Sequence, residues 1–154
     1  MDMDGSGPIE VIAPQERDDK KLGYRYANGA MMFRGPGVRG AQVTFIGTEG
    51  TIAVNRGSFL FTEPETIKLT PTKPSEKKLY KSDDHHRDFL RAIRSRRRPL
   101  CNATVGANTA IACHLGNIAE RIGHGFKWDP DKRTTDDAEA TQYLGTVYRE
   151  GWTI

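Results

Sequence analysis

"LGYRYANGAMMFR" (residues 22–34) decides how this chain starts to fold. Leu22, Tyr24 and Tyr26 alternate with Gly23 and Arg25, the period of two that sends successive side chains to opposite faces of a strand. Asn28-Gly29 follows, the strongest short hairpin signal, because a type I′ turn needs two residues at positive φ. Residues 30–34 then read as the returning strand. Two strands and a tight turn predict antiparallel pairing, and the residues on either side extend it.

Downstream, "GPGVRG" (residues 35–40) reads as a flexible loop. Strands are predicted over 42–46, 51–54 and 58–62, joined by "GTEG" (47–50) and "NRG" (55–57). Successive strands with short turns make an antiparallel meander, one face apolar and covered and the other partly solvated. Upstream, "MDMDGSGPIEV" (residues 1–11) is an acidic, glycine-rich turn leading into Ile9, Val11 and Ile12. It reads as a connection out of a preceding element followed by the first strand of the sheet. On that reading the chain is a piece of a longer protein.

After residue 62 the pattern changes. Residues 63–81 are rich in Pro, Thr and Lys and read as a linker. A helix is then expected, with Ser82 as its N-cap, Asp83 and Asp84 in its first turn, a stripe of Phe89, Leu90 and Ile93, and Pro99 beyond its end. A second helix is predicted over 104–122, with the stripe Ile111, Leu115, Ile118 and Ile122 and with Gly123 after it. Its other positions are small: Gly106, Ala107, Ala110, Ala112, Cys113, Gly116 and Ala119. They predict close approach to a sheet or another helix. "FKWDPDK" (126–132) reads as a short extended piece and a turn, and a last helix is expected over 136–144. Tyr148 and Trp152 are placed on the surface or on a partner. The predicted class is α+β: a mostly antiparallel open sheet with two to three helices packed on one face. It is a single domain over residues 1–154, the sheet mainly 8–62 and the helices mainly 82–145.

Size and composition agree. A chain of 154 residues with 36% hydrophobic and 28% charged residues suits one globular domain. No apolar run nears the roughly 20 residues of a bilayer span, and no secretory leader is visible. The formal net charge of +3 is too small to imply nucleic acid. Cys101 and Cys113 form no CxxC pair; a single disulfide between them is one reading, and two free thiols in a reducing compartment is the preferred one.

Each candidate chemical motif also has a plainer reading. "SDDHHRD" (82–88) gathers two histidines and three carboxylates, but adjacent His85 and His86 are expected to point apart on a helix, so it reads as a capped helix start and not a metal site. "RAIRSRRRP" (91–99) lacks interleaved aromatics and reads as a solvated basic helix end. His114 reads as a histidine of the core or of the helix–sheet seam. Cys113 and His114 leave their helix in different directions and make a weak nucleophile–base pair. Neither glycine-rich loop matches GxGxxG between a strand and a helix.

Four stretches taken together carry more. "VTFIGTEGTIAVNRG" (43–57), "SDDHHRDFLRAIRSRRRP" (82–99), "CHLGNIAERIGHGFKWDPDK" (113–132) and "YREGW" (148–152) occur in order and at suitable spacing. The set resembles the C-terminal domain of the Gfo/Idh/MocA oxidoreductases, most closely bacterial dehydrogenases that carry the HLGNIA and WDP segments. The resemblance implies a two-domain enzyme whose N-terminal Rossmann domain binds NAD or NADP. The C-terminal domain would shape a sugar or polyol pocket and form a homo-oligomer through its open sheet face. In the intact enzyme a hydride would pass between the nicotinamide and a sugar carbon, or, in related families, NAD would serve hydrolysis through transient oxidation. The family's EKP-like lysine and its histidine preceded four residues earlier by an aspartate have no counterpart here. No catalytic, cofactor or metal residue is therefore carried over. Asn28 and Arg39, polar groups at strand ends, are the candidate substrate-binding residues. The expected setting is cytoplasmic, with no nucleic acid or membrane partner. The alternative is a free-standing, non-enzymatic binding or dimerisation module of the same fold.

Overall fold

Alternation along three short segments builds the first sheet. In this computed structural model, which describes residues 6–57, 60–69, 81–145 and 149–151, β1 (Glu10–Ile12) pairs antiparallel with β2 (Gly23–Arg25), and β2 with β3 (Met31–Phe33). The free edge of β1 is taken by β7 (Phe126–Asp129), which continues into β8 (Thr134–Thr135), so the order is β3-β2-β1-β7-β8. A second sheet has the order β4-β5-β6, from β4 (Val43–Gly47), β5 (Gly50–Val54) and β6 (Leu60–Glu63). The helices are α1 (His85–Ser95), α2 (Ala103–Ile122) and α3 (Ala138–Thr141). The class is α+β with antiparallel sheets, as the sequence predicts. The described residues of Met1–Arg34 and Ser82–Ile154 make one compact unit and those of Gly35–Lys81 another.

Two features of this layout depart from the expected meander. The strands of residues 8–62 form two sheets instead of one. After β3 the chain turns through a single 3-10 turn at Val38–Gly40, with Arg39 and Gly40 both at positive φ, which ends the strand path. "FKWDPDK", read as a peripheral piece, instead supplies β7 beside β1, with Phe126 and Trp128 buried. Strands therefore occur on both sides of the helices in sequence.

Register explains the first core. Val11 lies opposite both Tyr24 and Phe126. With Leu22 and Trp128 these side chains share one face, which α2 covers through Leu115, Ile118 and Ala119. Ile111 and Ile122 pack at its margin, so the predicted stripe of α2 is the buried one. The small residues act where predicted: a methyl group added at Gly116 would lie 2.6 Å from Leu22 Cδ2 and nearer still to Tyr24 Oη. The opposite face carries Arg25, Glu10 and Lys127 in one row, with Arg25 Nε 2.6 Å from Glu10 Oε2, beside Phe33.

Local signals set the turns and caps only in part. In the 22–34 hairpin only Gly29 has positive φ, and Asn28 does not. Gly29 N–H donates to Tyr26 O and Tyr26 N–H to Ala30 O, both at 2.9 Å. The turn is thus a type I turn with a left-handed glycine bulge, not the type I′ expected. On α2, Asn102 Oδ1 accepts from Thr104 and Val105 N–H, and Gly123 closes the helix at φ 82°. On α1 the N-cap is Asp84, whose Oδ1 accepts from Arg87 N–H at 3.0 Å, and not Ser82, which donates to Asp84 O. The expected last helix shrinks to the single turn α3, capped by Asp137. The linker assigned to 63–81 begins as a 3-10 helix at Glu65–Leu69, while 70–80 lie outside the described residues.

The stripe on α1 is the largest correction. Phe89, Leu90 and Ile93 are 57, 52 and 47% exposed, and the helix buries Asp88 and Ala92 instead. The amphipathic period is present, but no described element covers it. No helix among the described residues is long and apolar enough to cross a membrane.

Candidate functional site

The densest polar constellation lies where α2 crosses the first sheet. Cys113, Gly116 and Glu120 are three and four residues apart on α2, so they share one face of the helix. Across from them stand Tyr24 on β2 and Arg34, just past β3, whose Nη2 donates to Glu120 Oε1. Tyr24 is buried, and burial pushes its phenol up to about 12, helped by Cys113 and Glu120 and opposed by Arg34. At neutral pH it is therefore a protonated donor and not a base. The Arg34–Glu120 pair is largely exposed and ties the end of β3 to α2 more than it stabilises the fold. Spacing on α2 hinted at this cluster; the pairing with Tyr24 and Arg34 is purely tertiary.

Asn28 and Arg39 fall in different units. Asn28, at the hairpin tip, spends its Oδ1 on Ala30 N–H at 3.0 Å. Arg39 is exposed and left-handed (φ 53°), with its guanidinium 4.3 Å from the centroid of the Phe61 ring, a cation–π contact. Phe61 holds the arginine over the second sheet, an arrangement no spacing in the sequence announced.

The remaining candidates resolve as follows. No group of three or more His, Cys, Asp or Glu among the described residues is placed to hold a metal ion. His85 and His86 do not point apart as expected; their rings lie 4.0 Å apart, tilted by 35°. Both are exposed, and His86 Nδ1 is 3.9 Å from Asp84 Oδ1. Asp88 is buried and accepts from Leu100 N–H at 2.9 Å, closing the chain after α1. His114 is exposed on α2 and not in the core or seam as expected. Its neighbours in the sequence are small, but its own position is on the outward side of the helix. Cys101 and Cys113 are both free and exposed.

One histidine pairing was not legible in the sequence. His124 Nε2 lies 2.9 Å from Asp137 Oδ2, and Asp137 Oδ1 accepts from Ala140 N–H at 2.7 Å. The hydrogen bond to Asp137 raises His124, while the Ala140 N–H and then His124 hold Asp137 below the usual carboxylate range. A carboxylate that orients an imidazole is half of a nucleophile–base relay. The third member is missing among the hydrogen bonds of the described residues, so the pair serves to hold the α2–β7 joint to α3.

The glycine-rich segments 35–40 and 47–50 lead from strand to 3-10 turn and from strand to strand. Neither delivers a strand into the N-terminus of an α-helix, the element that cradles a dinucleotide pyrophosphate.

A family model described as the C-terminal alpha/beta domain of an oxidoreductase family, Gfo/Idh/MocA, matches residues 2–154. No curated protein and no solved structure matches the chain.

Proposed function

Since the chain belongs to the C-terminal alpha/beta domain family of the Gfo/Idh/MocA oxidoreductases, we propose that it is the substrate-binding and oligomerisation domain of an NAD(P)-dependent sugar or polyol oxidoreductase. The match over residues 2–154 carries this reading. A domain described as C-terminal works with a domain before it, and the partner proposed is an N-terminal Rossmann domain that holds NAD or NADP. The nicotinamide site and the base that takes the hydroxyl proton belong to that partner. This chain's part is to wall the sugar pocket and join copies through the open face of its five-stranded sheet, in the cytoplasm of a bacterium.

Arg39 is the residue best suited to the pocket wall. It is exposed, held in place by Phe61, and sits at a positive φ that costs a non-glycine residue about 1–2 kcal/mol. A planar guanidinium fixed on an aromatic ring is pre-organised to donate to vicinal hydroxyls. Asn28, in the other unit, is a separate candidate for a sugar contact at its own hairpin tip.

Calorimetry tests the division of labour. The 154-residue chain is expected to show no NADH binding and no sugar oxidation, with both appearing in a protein that also carries the Rossmann domain. Tight NADH binding by this chain alone would refute the proposal. In the two-domain enzyme, Arg39→Ala is expected to raise KM for the sugar and leave the Kd for NADH unchanged. An unaltered KM would remove Arg39 from the pocket.

A further inference from the structure

The first core carries one tyrosine whose hydroxyl is left open. Tyr24 is only 5% exposed, yet its Oη makes no hydrogen bond among the described residues. Unlike Thr62 Oγ1, that oxygen is not sealed from solvent. A buried phenol normally finds an acceptor, so an open one calls for a reason. Gly116 supplies the opening. A Cβ added there would collide with Tyr24 Oη and lie 2.6 Å from Leu22 Cδ2, so any larger residue on this turn of α2 would close over the hydroxyl. Along the same helix face stand Cys113, three residues before Gly116, and Glu120, four after it. Arg34 reaches Glu120 from the end of β3, its Nη2 donating to Oε1. Cys113 is free and exposed. All of these residues belong to one compact unit.

We propose that this notch binds an uncharged polyol, one hydroxyl of which accepts from Tyr24 Oη while the hydroxyl on the next carbon engages the Arg34–Glu120 pair. The chemistry of the three groups selects the class. Tyr24, which burial keeps protonated at neutral pH, and Arg34 are donors, whereas Glu120 is an acceptor. A hydroxyl both donates and accepts, so two adjacent ones satisfy all three. An anion does not: Glu120 already neutralises Arg34, and its carboxylate repels a phosphate or a sugar acid. An apolar ligand would cover the phenol without offering it an acceptor, which costs the full desolvation of that group. The notch is separate from Arg39, which lies in the other unit. It deepens the sugar reading proposed above, and the choice of a sugar among vicinal diols rests on that reading.

Titration of the full chain with D-glucose, followed by amide NMR, tests it. Saturable shifts are expected at the Gly116 and Glu120 amides. D-glucuronate, the same ring with a carboxylate, should bind about tenfold more weakly. Tyr24→Phe removes only the oxygen. Because that hydroxyl has no partner in the fold, urea denaturation should be unchanged, while glucose affinity falls by about fivefold to tenfold. Glu120→Gln leaves Arg34 without its counter-charge and should bring glucuronate binding level with glucose or above it. In a Cys101→Ser chain, bound glucose should slow alkylation of Cys113 by iodoacetamide. An absence of saturable shifts in the wild-type chain, glucuronate bound as tightly as glucose, or an unaltered affinity in Tyr24→Phe would each overturn the proposal. So would a Tyr24→Phe chain of lower stability, since the hydroxyl would then have a partner within the fold. NADH binding by the two-domain enzyme is untouched by Tyr24→Phe, so failure at this notch and failure of the oxidoreductase reading give different results.

Discussion

Gly116→Ala should destabilise the chain although alanine is the better helix former. Gly116 lies in the middle of α2 under Leu22 and Tyr24, both buried. The new methyl would sit 2.6 Å from Leu22 Cδ2 and closer to Tyr24 Oη, with Tyr24 Cζ at 3.2 Å. These atoms cannot swing away, because their side chains are packed between sheet and helix. Helix propensity favours alanine by about 1 kcal/mol, and overpacking a filled site costs about 1–3 kcal/mol, so the net loss should reach about 2 kcal/mol at the upper end, where the fixed positions of Leu22 and Tyr24 put it. Gly106 provides the control on the same helix, since nothing lies within 4 Å of an added methyl there. Gly106→Ala should therefore gain about 0.5–1 kcal/mol. Urea denaturation of the two variants measures the contrast, and Tyr24→Phe combined with Gly116→Ala should recover part of the loss, a coupling only contact explains. Equal gains at both positions would show that α2 does not approach the sheet at Gly116.

Three further outcomes follow from other residues. Thr62 Oγ1 is the one buried side-chain polar atom without a hydrogen-bond partner among the described residues; Thr62→Val should stabilise by about 1 kcal/mol in the same denaturation assay. Asp88→Ala removes the acceptor for Leu100 N–H, so hydrogen exchange at Leu100 should speed up, with a stability loss of about 1–3 kcal/mol. The His124–Asp137 contact has a pH window with a definite sign. His124 is raised, so its contribution is complete below its unfolded value of 6.5 and fades as pH climbs through the folded one. Asp137 is lowered, so its contribution is complete above its unfolded value of 3.8 and fades as pH falls through the folded one. The contact is thus strongest between those two reference values. In NMR titrations Asp137→Asn should bring His124 down toward 6.5, and an unmoved His124 would mean that the contact does not form in solution.

Local rules reached far into this fold. Alternation in "LGYRYANGAMMFR" placed the hairpin, small residues on α2 marked the close approach at Gly116, and the Ile111–Leu115–Ile118–Ile122 stripe turned toward the core. All three depend on the period of side chains along one element, which is written in the order of residues. The failures share a different cause. Whether β1 takes β7 or extends a meander depends on which backbone edge is free in space, and "FKWDPDK" carries no sign of which strand it will join. The α1 stripe has the same period as a buried one, but exposure depends on what lies opposite it. His114 sits among small neighbours yet points outward, because the side of α2 that meets the sheet is set by Leu115, Ile118 and Ala119 together.

The candidate site divides along the same line. By themselves the residues determined the α+β class, the family resemblance and the polar groups at strand ends, since each is a matter of pattern and order. Tertiary structure alone decided that Phe61 holds Arg39 and that Tyr24 lies buried beside Arg34 and Glu120. Those are relations between residues far apart in the chain, and only the packed backbone brings their atoms within reach of one another.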